Sequence, residues 1–291
     1  VRPTPIKGFA VPDAPSSKNQ RRAEAREAAR VAREKKEKRE RMRRWLIPAA
    51  VSVVIVAIIA VVVVVIVNSG PQPQDGAGPR NMISDGILFE QGADGMVPVS
   101  TPAIPDGGEP IPTSPREGVV SIVEYVDFAC PICKQFEEEY RDYLEGLVSS
   151  GSATLEVHPV AILDPRFTGP EFSTRVNNAG ACVADAQPES FLEVMAALFE
   201  NQPEERSAGL TDSELTDIVH SAGVSDAGVD NCISDVGFRG WLKAATDRAV
   251  GDPDLTGPNG FGTPTLVVDG ERWDANELSF EEFVESKLAG S

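Results

Sequence analysis

The chain has 291 residues and a formal net charge of −18, from 27 Lys+Arg against 45 Asp+Glu. That charge is unevenly spread: residues 1–44 carry 15 basic and 6 acidic side chains, residues 45–67 none, and residues 68–291 carry 12 basic and 39 acidic ones. An acidic surface repels phosphates, which argues against a nucleic-acid role for the long C-terminal part.

Residues 1–20 are rich in Pro, Ser and polar groups and read as disordered. From Arg21 to Arg44, strong helix formers and i,i+4 opposite charges predict a helix with no apolar stripe. Such a helix is either simply solvated or held by anionic lipid headgroups, at about 1 kcal/mol for each Lys or Arg near the surface. Residues 45–67, dominated by Val, Ile and Ala, would span roughly 35 Å as a helix, against a hydrocarbon core of about 30 Å. Pro48 falls in the first turn, where a missing N–H does little harm. A cleaved signal peptide would have a shorter apolar run and a small-residue cleavage site, which Val67-Asn68-Ser69-Gly70 lacks. The reading is therefore an uncleaved signal anchor. Arg39, Arg41, Arg43 and Arg44 abut its N-terminal side, so residues 1–44 are expected in the cytoplasm and the remainder outside. All four cysteines then lie where disulfides are permitted.

Residues 68–85 read as a flexible Pro/Gly-rich tether. Ile87-Leu88-Phe89 is a short strand candidate, followed by a loop to Glu117 and a convincing strand at 118–126. Pro131 to about Leu147 reads as a helix, and 153–163 as a second strand. Within about 171–250 several helices are expected. Phe191, Leu192, Met195, Leu198 and Phe199 share one face, as do Leu215, Ile218, Val219 and Ala222. Thr265–Val268 returns to β structure, Asp269-Gly270 signals a type I′ hairpin into Glu271-Arg272-Trp273, and 279–288 is a last amphipathic helix. This order describes an α/β domain over 86–291, a small mixed sheet flanked by helices with a helical insertion.

The chemistry concentrates in Phe128-Ala129-Cys130-Pro131-Ile132-Cys133, at the seam between strand and helix. Cys130 sits where unpaired N–H groups and the helix dipole stabilise a thiolate, and Pro131 takes the favoured first helical position. Cys133 follows one turn later, placed to bridge and release. Disulfide exchange needs this pairing of a low-pKa attacker with a resolving thiol. A zinc site would need a second ligand pair, but Cys182 and Cys232 stand apart, and His158 and His220 lack ligand spacing to any cysteine. Exchange runs on the two sulfurs and calls for no cofactor.

Residues 118–288 resemble the DsbA-like branch of the thioredoxin-fold superfamily. The shared features are the strand VEYVDF, the CPIC motif, the helical insertion and Gly262-Thr263-Pro264-Thr265 before a late strand. The resemblance implies a cis proline at Pro264, packed beside the sulfurs and leaving the Thr263 backbone to pair with an extended substrate. Glu124, six residues before Cys130, matches a buried acid of that branch. It is read as proton acceptor for Cys133, or else as an ordinary solvated strand carboxylate, with Asp127 a rival for the role. Ile132 stands where strong oxidases often carry histidine, so the strength of the oxidant is open. Cys182 and Cys232 are read as a static disulfide, with a second exchange pair as the alternative.

The resemblance implies an oxidase giving its disulfide to exported proteins and reoxidised by a quinone-linked membrane partner, DsbB or vitamin K epoxide reductase-like. A reductase or isomerase, and a thiol-independent chaperone or peptide-binding module, are the competing readings.

Overall fold

The computed structural model describes residues 76–93 and 95–290, together with residues 27, 30, 35 and 36. The chain divides into two units, 1–72 and 73–291. In the first, the four described residues are helical, and Arg30 donates to Glu27 one turn away at 3.3 Å. The expected disorder at 1–20, the anchor at 45–67 and the tether over 68–75 lie outside the described residues. Among the described residues, no helix is long and apolar enough to cross a membrane.

The second unit is built on a mixed sheet. Its strands are β1 (Ile87–Gln91), β2 (Met96–Pro98), β3 (Val120–Val126), β4 (Ala153–Pro159), β5 (Thr265–Val268) and β6 (Glu271–Arg272). They lie in the order β2-β1-β4-β3-β5-β6. Strand β3 runs parallel to β4 and antiparallel to β5, with Glu124 opposite Val157 and Leu266. Asp269 and Gly270 both have positive φ (49° and 79°), as a type I′ hairpin requires.

Helix α1 (Pro131–Ser149) buries Cys133, Phe136, Glu137, Leu144 and Val148, one stripe at helical spacing. Helix α7 (Phe280–Leu288), opened by a Ser279/Glu282 capping box, packs beside it; the Phe280 ring stacks edge-on against Phe136 at 5.1 Å and Trp273 at 5.3 Å. Between β4 and β5 stands the insertion: α2 (Phe172–Ala186), α3 (Phe191–Glu200), α4 (Asp212–Ser221), α5 (Gly228–Ser234) and α6 (Arg239–Gly251). Phe128 joins it to the sheet, with Phe191 and Phe199 at 6.2 and 5.7 Å. Gly180 of α2 is required there, because a Cβ would come within 2.5 Å of the Phe128 ring.

Strand β2 falls in the stretch read as a loop to Glu117, and two boundaries differ by several residues from the sequence reading. The tether was expected to run to residue 85, but residues 78–85 are fastened to the domain. Gly78 N–H donates to Ile104 O, Arg80 grips Asp185, and Met82 is fully buried. Asp85 accepts from Trp241 and twice from Arg248. Composition marked this stretch as flexible, yet Asp185 and Trp241, which hold Arg80 and Asp85, lie more than 100 residues away in sequence. Strand β4 stops at Pro159 instead of 163, because the N–H groups of Ile162 and Leu163 turn to the Asp127 carboxylate.

Candidate active site

Beyond Val126 the chain turns through residues 127–130 into α1, and the Cys130 N–H donates to Asp127 O at 2.8 Å to close the turn. Cys130 is the N-cap of α1, in extended conformation, and Pro131 opens the helix. Both Cys130 and Cys133 are free thiols, Cys130 6% exposed and Cys133 fully buried. The dithiol is therefore described in its reduced form.

The two sulfurs are strongly differentiated. The Cys130 thiol is lowered to about 6, first by a hydrogen bond from the Cys133 thiol. The Thr263 side chain and the N–H groups of Cys133 and Ile132 act in the same direction, while burial opposes them. Sequence reasoning put the weight on the helix N–H groups; the neighbouring thiol proves the larger contributor. Cys133 is pushed well above the ordinary thiol range by burial, then by the hydrogen bond and charge of Cys130, with the Glu124 charge a lesser cause. One helical turn thus separates an attacker ionised at neutral pH from a resolving thiol that holds its proton.

The Thr263–Pro264 peptide is cis, and the Thr263 carbonyl accepts from Cys130 Sγ at 3.3 Å. The Thr265 hydroxyl donates to Gly262 O at 2.7 Å and ties this loop at its base. Sequence positions 130 and 263 are brought together as the resemblance implied. Ile132 is 56% exposed, so its hydrocarbon lies open beside the sulfur-bearing turn.

Glu124 is fully buried on the face of β3 that meets α1, which removes the solvated alternative. Burial raises its pKa well above the carboxylate range, and the charge of Glu137 adds to the rise. Glu137, on α1 one turn beyond Cys133, is 6% exposed and is also raised by burial, with Glu124 and Arg141 opposing. Arg141 Nε stands 4.0 Å from Glu137 Oε2, and a hydrogen bond between the two carboxyls, which needs one of them protonated, raises Glu124 and lowers Glu137. Two buried carboxyls this strongly coupled do not ionise together, so Glu137 ionises first and Glu124 keeps the proton. Glu137 was not picked from the sequence; its i+4 spacing from Cys133 was the signal available.

Asp127, the rival to Glu124, is fully engaged elsewhere. Its carboxylate accepts from Ala129 N, Ile162 N, Leu163 N, Ser173 Oγ and Asn177 Nδ2 at 2.6–3.1 Å. Burial raises its pKa, but those donors favour the ionised form. It anchors three segments of chain.

Cys182 and Cys232 form a disulfide with a Cα–Cα distance of 5.9 Å, linking α2 to α5 within the insertion. Asn178 reinforces the junction, donating to Cys232 O and accepting from Phe238 N–H.

A family model described as thioredoxin matches residues 116–286. Among solved structures, the reduced disulfide bond oxidoreductase DsbG of Mycobacterium tuberculosis is 27% identical, with a TM-score of 0.50 over 59% of this chain and 77% of that one. Reduced DsbA of the same organism superposes with a TM-score of 0.53 over 71% of this chain and 91% of its own; at 23% identity it speaks for the fold. The serine/threonine-protein kinase PknE of Mycobacterium tuberculosis is 29% identical over 145 residues, 48% of this chain and 25% of the kinase. This chain spans about a quarter of the length of the curated relatives it matches. With the matched segment covering more than half of its length and the CPIC turn, the Thr263–Pro264 loop and the helical insertion all in place, the chain belongs to the thioredoxin family and has a DsbA-like fold.

Proposed function

We propose that this protein is an extracytoplasmic thiol–disulfide oxidase that donates a Cys130–Cys133 disulfide to exported proteins. The observation that carries the proposal is the geometry of the dithiol: Cys130 at the N-cap of α1 and against the cis Thr263–Pro264 loop, one turn before a fully buried Cys133, an arrangement that lowers the first thiol and raises the second. A stabilised Cys130 thiolate stabilises the reduced form, so the disulfide tends to pass to a substrate.

In the oxidised enzyme, a substrate thiolate attacks Cys130 Sγ, and Cys133 leaves as a thiolate. Its high proton affinity, next to the protonated Glu124, lets it take up a proton at once. A second substrate thiolate then attacks the substrate sulfur of the mixed disulfide and expels the Cys130 thiolate. The substrate gains a disulfide and gives up two electrons, which the Cys130/Cys133 pair now holds. In reoxidation Cys133 must lose its proton, and Glu124 can accept it by passing its own to Glu137. The Thr263 carbonyl, already against Sγ, is placed to meet the backbone of an extended substrate.

On this reading residues 45–67 anchor the domain outside the cytoplasm, and a quinone-linked membrane partner of the DsbB or vitamin K epoxide reductase-like kind restores the disulfide. The Cys182–Cys232 bridge then serves as a static staple. Equilibration with glutathione and alkylation trapping in intact cells test the proposal. A potential above about −200 mV and a predominantly oxidised pair in cells are expected. A reduced pair in cells would instead assign a reductase or isomerase. Retention of activity without either active-site cysteine would assign a thiol-independent chaperone.

A further inference from the structure

The turn at 127–130 is buried, with Phe128 1% and Ala129 0% exposed. A tight turn closed by its terminal N–H···O bond leaves the polar groups of its central residues unpaired. Buried, each of those groups needs a partner. For Phe128 N–H, Phe128 O and Ala129 N–H the partner is a side chain. Ala129 N–H donates to Asp127 Oδ1 at 2.9 Å. Phe128 N–H donates to Asn177 Oδ1 at 3.2 Å, and Phe128 O accepts from Gln202 Nε2 at 2.9 Å. Asn177 lies on α2, and Gln202 just beyond the end of α3. Both therefore come from the insertion, outside the strand–turn–helix unit that carries the dithiol. Asn177 Nδ2 also donates to Asp127 Oδ1 at 2.8 Å, and the Ser173 hydroxyl to Oδ2 at 2.6 Å, so the same insertion holds the carboxylate.

We infer that Gln202 and Asn177 are positioning residues for Cys130, through which the helical insertion sets the electrostatics of the attacking sulfur. The inference rests on the oxidoreductase reading and deepens it. The peptide held at Phe128 immediately precedes Ala129 and the N-cap. Its orientation fixes the direction in which the extended Cys130 presents Sγ to the N–H groups of Ile132 and Cys133 and to Thr263. Hydrogen bonds to a thiolate weaken steeply with misalignment. A turn freed on its insertion side therefore loses thiolate stabilisation without losing either cysteine. Glu124 and Glu137 lie on β3 and α1, so this coupling is separate from the proton-handling pair.

Gln202 is only half-buried, which makes it the residue to test. In the full chain, Gln202→Ala removes the donor, and Gln202→Met removes it while keeping the methylene packing. Thiolate absorbance against pH and equilibration with glutathione are measured for each. The control is Gln187→Ala, which removes bonds to Ser190, Gly223 and Ser225 inside the insertion but none to the turn. Both Gln202 variants should raise the Cys130 pKa by roughly half a unit to one unit and make the disulfide several-fold less oxidising. Gln187→Ala should lower the melting temperature and leave both readings at the wild-type value. Gln202 variants that titrate as wild type, or an equal shift in all three variants, would overturn the inference. A wild-type Cys130 that titrates like a free thiol, near 8.5, would instead overturn the oxidase reading itself.

Discussion

Glu124 on β3 and Glu137 on α1 face one another inside the domain next to Cys133, and among the described residues only Glu137 of the two has a cation, Arg141, within 4.0 Å. Burial makes the pair costly to keep ionised.

Glu124→Gln should slow reoxidation of the dithiol by roughly tenfold to a hundredfold at neutral pH, because the group that accepts the Cys133 proton is gone. Stability should move the other way. The folded pKa of Glu124 lies above its unfolded value, so the folded state holds the extra proton and stability falls as pH rises from the unfolded pKa towards the folded one. The glutamine variant should lose that slope and melt higher than wild type at pH 7. Melting curves from pH 4 to 8 with stopped-flow reoxidation check both halves. A variant that melts lower at every pH and reoxidises normally would remove Glu124 from proton handling.

Ile132→His should lower the Cys130 pKa from about 6 by up to about one unit and raise the reduction potential. The Ile132 N–H already serves the sulfur, and the exposed side chain has room for an imidazole that adds a donor. Thiolate absorbance across pH 3–9 reads the shift. An unchanged or raised value would show that a side chain at 132 does not reach the sulfur.

Cys182→Ser with Cys232→Ser should destabilise the domain by about 4 kcal/mol, because the bridge closes a loop with a sequence separation of 50. For a domain of this size that is on the order of 10 °C in melting temperature. The Cys130 pKa should not move. If turnover with a membrane reoxidant collapses while the melting temperature holds, the pair is an exchange centre and not a staple.

His220 joins α4 to α5 and should make that junction pH-sensitive. Its Nδ1 meets Val224 O and its Nε2 meets Asp230 Oδ1, each at 2.8 Å, so both ring nitrogens face acceptors and the doubly protonated ring fits best. The Val224 carbonyl is the first cause of the raised pKa; desolvation opposes it, and Asp230 and Asp217 add to the rise. The stabilisation is therefore fully present below the ordinary histidine value near 6.5 and is lost as pH rises through the higher folded value. In this exposed setting the difference between wild type and His220→Asn should be about a degree or two of melting temperature at pH 5.5 and should shrink by pH 8.5. A constant difference across that range would mean the ring acts by packing alone.

The sequence by itself determined the elements whose signals are local. Alternation wrote β3, Asp269-Gly270 wrote the hairpin, and Pro131 after Cys130 opened α1 and placed the attacking sulfur at a helix N-terminus. Glu124 could be assigned to the face shared with Val126 because a strand has period two. Tertiary structure decided what depends on partners distant along the chain. Residues 78–85 read as tether until Asp185, Trp241 and Arg248 arrive from the insertion to hold them. Asp127 and Glu124 are both acids near the motif, and the sequence ranked them only by resemblance. Five donors from three segments make one an anchor, while burial beside Glu137 raises the pKa of the other. Glu137, Asn177 and Gln202 carry no motif at all. Their roles arise because folding buries a turn and a thiol, and a buried polar group takes its partner from whatever element packs against it.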